Sequence, residues 1–145
     1  MFQHILLPVD GSSSAQLATE KAAGLAKAFG SRVTAIYVID PYPFTGVGSD
    51  FAYGQSQYIS AATSEANTAL HAAQEALSKA GVNVATAVVE GHVIAKGILQ
   101  TAANSGADLI VMGSHGRRGL EKLILGSVTQ RVVSQAHVPV LVVRD

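Results

Sequence analysis

The chain of 145 residues has no cysteine and no tryptophan, and only 14% of its residues are charged. Without cysteine, disulfide bridges and thiolate metal ligands are excluded. The formal net charge is zero, so no overall field attracts nucleic acid or an anionic membrane. No apolar run approaches the roughly 20 residues of a membrane-spanning helix. The N-terminus lacks the basic start of a signal peptide, and we therefore expect a cytoplasmic protein that binds neither nucleic acid nor membrane.

What the chain does have is an alternation of short apolar runs and helical patterns. Apolar runs predict strands at 5–9, 33–39, 83–89, 109–112 and 138–143. Helical patterns cover 12–29, 57–80, 93–104 and 127–135, whereas 40–57, with two prolines and three glycines, is predicted as a long irregular loop. Buried strands joined by helices indicate a parallel sheet covered on both faces. We predict one α/β domain over 1–145, a doubly wound open sheet of five parallel strands in the order 3-2-1-4-5.

Polar segments follow two of the predicted strands. Asp10 comes directly after the first strand, and the glycine-rich segment 113–127 follows the fourth. In doubly wound sheets, ligands bind beyond the carboxyl ends of the strands. Glycines adopt unusual backbone angles and allow close approach of the main chain, and a helix start favours an anion. The segment therefore predicts a nucleotide-phosphate site, in which Asp10 bonds to ribose or helps to hold Mg²⁺ and Ser127 and Thr129 bond to phosphate.

Simpler roles are compatible with the same residues. Asp10 can cap the first helix, and Ser127 and Thr129 can be ordinary helix-start residues. Arg117 and Arg118 can simply be solvent-exposed charges of a loop. His115 lies either beside a ligand or in a structural position. The spacing of the glycines matches neither a Walker P-loop nor the dinucleotide fingerprint. No nucleophile is paired with a base and no histidines have metal-ligand spacing, so we predict no catalytic residue and no resident metal.

The spacing Gly113-x-x-Gly116, nine further residues and then Gly126-Ser127 resembles the nucleotide-binding signature of the universal stress protein family. The opening segment 5–12, the segment 108–116 and the closing segment 138–143 are also similar to the family, so that the resemblance covers the whole chain. It implies ATP, with Mg²⁺, in the branch that keeps the intact signature. Together with His115 and Arg117, the implied contacts are Pro8, Val9, Asp10, Val38 (whose backbone would meet adenine), Met112, Gly113, Gly116, Gly126, Ser127, Val128 and Thr129.

The resemblance also implies a nucleotide-dependent regulatory or protective module of the stress response, which forms a homodimer through strand 138–143. The alternative for this apolar edge strand is cover by a loop or by the C-terminus. One rival function is a slow ATP-hydrolysing or adenylyl-transferring enzyme of the same superfamily. Another is a phospho-acceptor receiver domain, which the sequence disfavours because the third strand ends in Glu90 and no lysine follows Lys122.

Overall fold

The computed structural model describes residues 1–41, 49–116 and 125–144, with the side chains of the second range described from residue 54 onward. Its strands are β1 (His4–Pro8), β2 (Arg32–Ile39), β3 (Val84–Glu90), β4 (Leu109–Gly113) and β5 (Val140–Val143). They form one sheet in the order β3-β2-β1-β4-β5, and every neighbouring pair is parallel. The predicted fold class and strand order are confirmed.

In these described ranges, four helices cover the two faces of the sheet: α1 (Ser13–Phe29), α2 (Ser49–Lys79), α3 (Ile94–Ser105) and α4 (Ser127–Gln135). Helices α1 and α2 share one apolar core with the sheet, and α3 and α4 share another. Side chains of the central strand alternate between the two cores, with Ile5 and Leu7 in the first and Leu6 in the second. A strand that is buried on both faces is apolar throughout. The sequence of β1 therefore does not show the alternation of apolar and polar residues that is typical of a half-buried strand.

The predicted loop over 40–57 is wrong from residue 49 onward, because α2 begins at Ser49 and runs for 31 residues. The helix-breaking prolines of this stretch precede Ser49, and Gly54 is the only breaker after it. One interior glycine costs a helix about 1 kcal/mol relative to alanine, which a helix of this length tolerates. The Gln55 side chain also donates a hydrogen bond to the Pro41 carbonyl, with an N–O distance of 3.0 Å. Residues 42–48 of the predicted loop lie outside the described residues.

The last strand is shorter than predicted, starting at Val140 rather than at 138. Proline has no N–H group to donate to a neighbouring strand, and Pro139 takes part only through its carbonyl, which accepts from the Ile110 N–H at 3.0 Å. In the parts of the chain that the structure describes, no helix is both long and apolar enough to cross a membrane.

Candidate functional site

A cleft of about 1060 Å³ opens beyond the carboxyl ends of β1, β2 and β4. This is the topological switch point of the sheet, since the chain leaves β1 for β2 on one side and returns to β4 on the other. Arg117 lies outside the described residues. The other twelve predicted site residues all line the cleft, namely Pro8, Val9, Asp10, Val38, Met112, Gly113, His115, Gly116, Gly126, Ser127, Val128 and Thr129.

The turn after β1 directs the Asp10 carboxylate across this cleft. Asp10 does not cap α1, because the Ser12 hydroxyl accepts the Ala15 N–H at 3.1 Å. Instead, Asp10 Oδ1 accepts the Ser12 N–H at 3.0 Å and so holds the turn. Its other oxygen faces the glycine-rich segment, where a Cβ on Gly116 would stand only 2.9 Å from Oδ2. A glycine at 116 therefore leaves room for this carboxylate.

Gly113, the last residue of β4, is held between two helices. On one side, the Thr129 hydroxyl of α4 donates to the Gly113 carbonyl at 2.8 Å. On the other side lies Ser14 of α1, whose Cβ and carbonyl carbon would each be 2.9 Å from a Cβ on Gly113. Thr129 is only 3% exposed and its hydroxyl proton is already donated within the protein, and its contact with phosphate stays a prediction.

The signature glycines do not have the unusual backbone angles that the sequence suggested. Glycines with positive φ in the described ranges are found at other turns and helix ends: Gly11, Gly30, Gly81 and Gly106. At Gly126, φ is −63°, which any residue adopts. A Cβ at Gly126 would lie 3.4 Å from the Ser114 carbonyl oxygen. Close packing within the protein, rather than left-handed backbone, accounts for Gly113 and Gly116, whereas a Cβ at Gly126 would make only ordinary van der Waals contacts.

Helix α4 begins in the cleft with open backbone donors. The Gly126 N–H donates a hydrogen bond to the Ser114 carbonyl at 2.8 Å. The first hydrogen bond of the helix runs from the Gln130 N–H to the Gly126 carbonyl at 2.9 Å. The helix itself therefore has no acceptor for the N–H groups of residues 127–129, and Gly126 has no side chain to cap them. Three convergent N–H groups at a positive helix end are suited to an anion.

His115 adds one more polar atom to the same end of the cleft. Its Nδ1 is hydrogen-bonded to the hydroxyl of the fully buried Ser114 at 2.9 Å. Its Nε2 is buried and has no hydrogen-bond partner within the described part of the chain. Leaving a buried polar atom unpaired costs about 1–3 kcal/mol. This nitrogen is consequently a candidate contact for a bound molecule.

At the other end of the cleft, β2 extends past the end of β1. Successive residues of a strand direct their N–H and C=O groups to opposite neighbours. The Ile36 carbonyl accepts from the Val9 N–H on the β1 side at 2.8 Å, and the Ile39 carbonyl accepts from the Gly91 N–H on the β3 side at 2.9 Å. Val38, two residues after Ile36, therefore directs its N–H and C=O to the β1 side, where β1 has already ended.

Sequence reasoning missed the wall that helices contribute to the cleft. A helix of 31 residues is about 46 Å long, whereas the 8 residues of β2 span about 26 Å. Because α2 follows β2, its N-terminal part overhangs the carboxyl edge of the sheet. A correct prediction of the length of α2 would have shown that this helix forms a wall of the cleft. The additional lining residues include Asp40, Tyr58, Ala61, Ala62, Glu65, Ile94 and Ile98.

A second polar cluster lies at the opposite, amino edge of the sheet. His4 Nδ1 donates to the Ser105 carbonyl at 3.1 Å, since a carbonyl only accepts, and Nε2 is then left to accept from the Thr34 hydroxyl at 2.7 Å. Burial, followed by the charge of Arg32, holds the pKa of His4 below its ordinary value of 6.5. The histidine is a neutral structural residue.

Asp108 completes this amino-edge cluster by joining β4 to β1. Its Oδ2 accepts the Gln3 N–H at 2.9 Å and its Oδ1 accepts the His4 N–H at 3.0 Å. Burial alone would raise the pKa of Asp108, but these backbone hydrogen bonds outweigh burial and lower the pKa from 3.8. Both carboxylate oxygens are therefore committed to the fold.

Fold and cleft together define a doubly wound α/β protein with a ligand-sized crevice at its switch point. The model of the Universal stress protein family matches residues 1–144, and the chain belongs to this family. Universal stress protein MJ0531 of Methanocaldococcus jannaschii is 40% identical over 145 residues, which cover 99% of this chain and 83% of the relative.

Solved structures repeat the same fold. Universal stress protein UspA from Lactobacillus plantarum has a TM-score of 0.88 and 28% identity, covering 98% of this chain and 97% of its own. Two more distant structures, each 22% identical, are a universal stress protein in complex with cAMP and the one from Archaeoglobus fulgidus in complex with dAMP. Their TM-scores are 0.73 and 0.71, and they cover 99% of this chain and 97% and 98% of their own. At these identities the likeness is one of fold.

Proposed function

We propose that this chain binds ATP, accompanied by Mg²⁺, in the switch-point cleft and acts as a nucleotide-dependent regulatory or protective module of the stress response. The observation that carries the proposal is the start of α4, where the N–H groups of residues 127–129 open into the cleft. Such a helix start is suited to phosphate. The buried Nε2 of His115 provides a further donor when Ser114 donates to Nδ1.

The backbone of Val38 supports adenine as the base. One N–H donor and one C=O acceptor directed past the end of β1 match the N1 acceptor and the N6 amino group of adenine. Guanine presents the opposite pattern on the same edge, a donor at N1 and an acceptor at O6. Unpaired buried groups cost about 1–3 kcal/mol each, so we expect ATP to bind at least about tenfold more tightly than GTP. The neighbours in complex with cAMP and dAMP also carry adenine.

Asp10 supports a nucleotide with a bound cation. Its Oδ2 faces the glycine segment from the opposite wall, where a carboxylate can accept from ribose hydroxyls or bind Mg²⁺ held by the phosphates. Within the described ranges, no cluster of three His, Asp or Glu side chains is placed to hold a metal ion. We therefore assign the cation to the nucleotide rather than to a site of the protein alone.

Calorimetry with ATP, GTP and adenosine, each with and without Mg²⁺, tests this proposal. We expect ATP to bind more tightly than GTP, and removal of Mg²⁺ to weaken ATP but not adenosine. Asp10→Asn should reduce affinity, whereas Asp108→Asn, which changes a carboxylate at the opposite edge, is the matched control. No binding of Mg-ATP at millimolar concentration would contradict the proposal.

We also propose a homodimer through the edge strand β5. Leu141 is 39% exposed and Val133 of the neighbouring helix is 46% exposed, so that an apolar strip accompanies the unpaired edge. Light scattering of the purified protein should give the mass of two chains. Leu141→Lys should give the mass of one, and a monomeric unmodified protein at micromolar concentration would contradict the dimer.

Turnover and location complete the proposal. We place the protein in the cytoplasm and give ATP a regulatory role, in which occupancy rather than hydrolysis is the variable. Incubation of the pure protein with Mg-ATP distinguishes this from the enzymatic alternative, since hydrolysis yields ADP and adenylyl transfer yields pyrophosphate. Release of either product at a rate above one per minute would favour an enzyme. Cell fractionation tests the location.

A further inference from the structure

Gly97 is a buried glycine in the first turn of α3, where alanine has the higher helix propensity. The position lies outside the glycine-rich segment and has a negative φ, so that its backbone conformation does not require glycine. A Cβ at Gly97 would stand 3.0 Å from Cγ1 and 3.5 Å from Cγ2 of Val38. The space that a side chain would fill is therefore already occupied by the residue that presents its backbone to the cleft.

Val38 is enclosed from two sides at this contact. Gly91, which follows β3, would place a Cβ 3.6 Å from Val38 Cγ1 and also 3.6 Å from the Gly97 Cα. The β2–β3 ladder fixes the Val38 backbone through its pairing with Val89. A β-branched side chain has few alternative rotamers, and protein interiors are close-packed. An added methyl group at 97 thus has to move either Val38 or α3.

We infer that Gly97 is a specificity-determining positioning residue for the base end of the cleft. Because Gly97 has no side chain, the Val38 side chain packs directly against α3. This contact fixes the position of the Val38 N–H and C=O relative to Ile94 and Ile98, which line the cleft from the same helix. The inference rests on the proposed function and adds a determinant of base recognition to it. The phosphate end, at residues 127–129, belongs to a different helix.

The test is Gly97→Ala, with Gly24→Ala as the matched control. Gly24 is also a helical glycine, but it is exposed and a Cβ there meets nothing within 4 Å. We expect Gly24→Ala to raise the melting temperature and leave every affinity unchanged. Gly97→Ala should weaken ATP and adenosine by the same factor, about tenfold, and reduce the preference for ATP over GTP. Inhibition of ATP binding by tripolyphosphate, which has no base, should be unchanged.

Val38→Ile adds a methyl group to the same contact from the strand side. It replaces Gly97→Ala in the test if that variant does not fold. It should reproduce the loss of base preference, and Val38→Ala combined with Gly97→Ala should restore that preference, because the smaller side chain relieves the contact. Unchanged ATP and GTP affinities in both single variants would overturn the inference. Equal loss of adenosine and tripolyphosphate binding would also overturn it, as general damage. If the unmodified protein binds no nucleotide, the proposed function fails and the inference fails with it.

Discussion

The amino and carboxyl edges of the sheet both contain polar groups, but they differ in whether these groups have hydrogen-bond partners within the protein. At the amino edge, both ring nitrogens of His4 and both carboxylate oxygens of Asp108 have partners within the protein. At the carboxyl edge, the N–H groups of residues 127–129 and the Val38 backbone open into a cleft, and the buried His115 Nε2 has no hydrogen-bond partner in the described part of the chain. Polar groups that are satisfied internally stabilise the fold, whereas groups left open identify where a ligand is expected.

The largest effect on ATP affinity is expected from Gly113→Ala, which adds a methyl group at the carboxyl edge of the sheet. The new Cβ would overlap Ser14, whose Cβ and backbone carbon are 2.9 Å away, so that α1 and the end of β4 must separate. Overpacking of this kind costs about 1–3 kcal/mol, and we expect ATP affinity to fall by about a hundredfold. Calorimetry measures the affinity and urea denaturation the stability. Wild-type affinity in a folded Gly113→Ala protein would mean that the phosphates lie elsewhere.

A smaller effect, confined to stability, is expected from Asp108→Asn at the amino edge. An amide offers one acceptor oxygen where the carboxylate accepts the N–H groups of Gln3 and His4. Hydrogen bonds to charged groups contribute about 1.5–3 kcal/mol each, and partial exposure reduces the loss to about 2 kcal/mol. Urea denaturation should record this loss while ATP affinity stays within twofold. A loss of affinity would show that the two edges are coupled.

Thr129→Val should have a still smaller effect and separates the hydroxyl from the backbone at this residue. The variant loses the 2.8 Å hydrogen bond to the Gly113 carbonyl but keeps its N–H at the start of α4. We expect a stability loss of about 1 kcal/mol and a decrease of about fivefold in ATP affinity, with adenosine unaffected. Thr129→Ser, which keeps the hydroxyl, should restore both quantities. A fall in adenosine affinity would indicate that the whole cleft has shifted.

The smallest effect concerns pH and the amino edge alone. The folded pKa of His4 lies below 6.5, so the unfolded chain takes up the proton first as the pH falls. The contribution of His4 is therefore fully present above about pH 6.5 and decreases below it. Urea denaturation without nucleotide between pH 8 and pH 5 should show this decrease. It should be absent in His4→Asn and retained in His71→Asn, a change at an exposed histidine.

Apolar runs were sufficient to predict all five strands, because strands buried on both faces carry little else. The rule that ligands bind at a switch point was sufficient to select Asp10 and the glycine-rich segment. Pro8, Val9, Val38, Met112 and Val128 came only from the resemblance to the family, and the contact of all these residues with nucleotide stays a prediction. The start of α2 was missed because residues 40–57 contain two prolines and three glycines and show no helical period in the sequence. The partner of Gly113 was also beyond reach, since Ser14 approaches it only once α1 has packed on the sheet.

The position of β1 has a consequence for the order of folding. The hydrogen bonds that Asp108, just before β4, accepts from Gln3 and His4 connect residues 105 and 104 positions apart. Contacts so distant in sequence close late, because the intervening chain loses entropy when it is looped. A nascent chain emerging from the ribosome can pair β1, β2 and β3 early, but the cleft does not exist until β4 and α4 are synthesised. Under the proposed function, nucleotide binding therefore requires that the chain has been synthesised as far as α4 and that β4 has paired with β1.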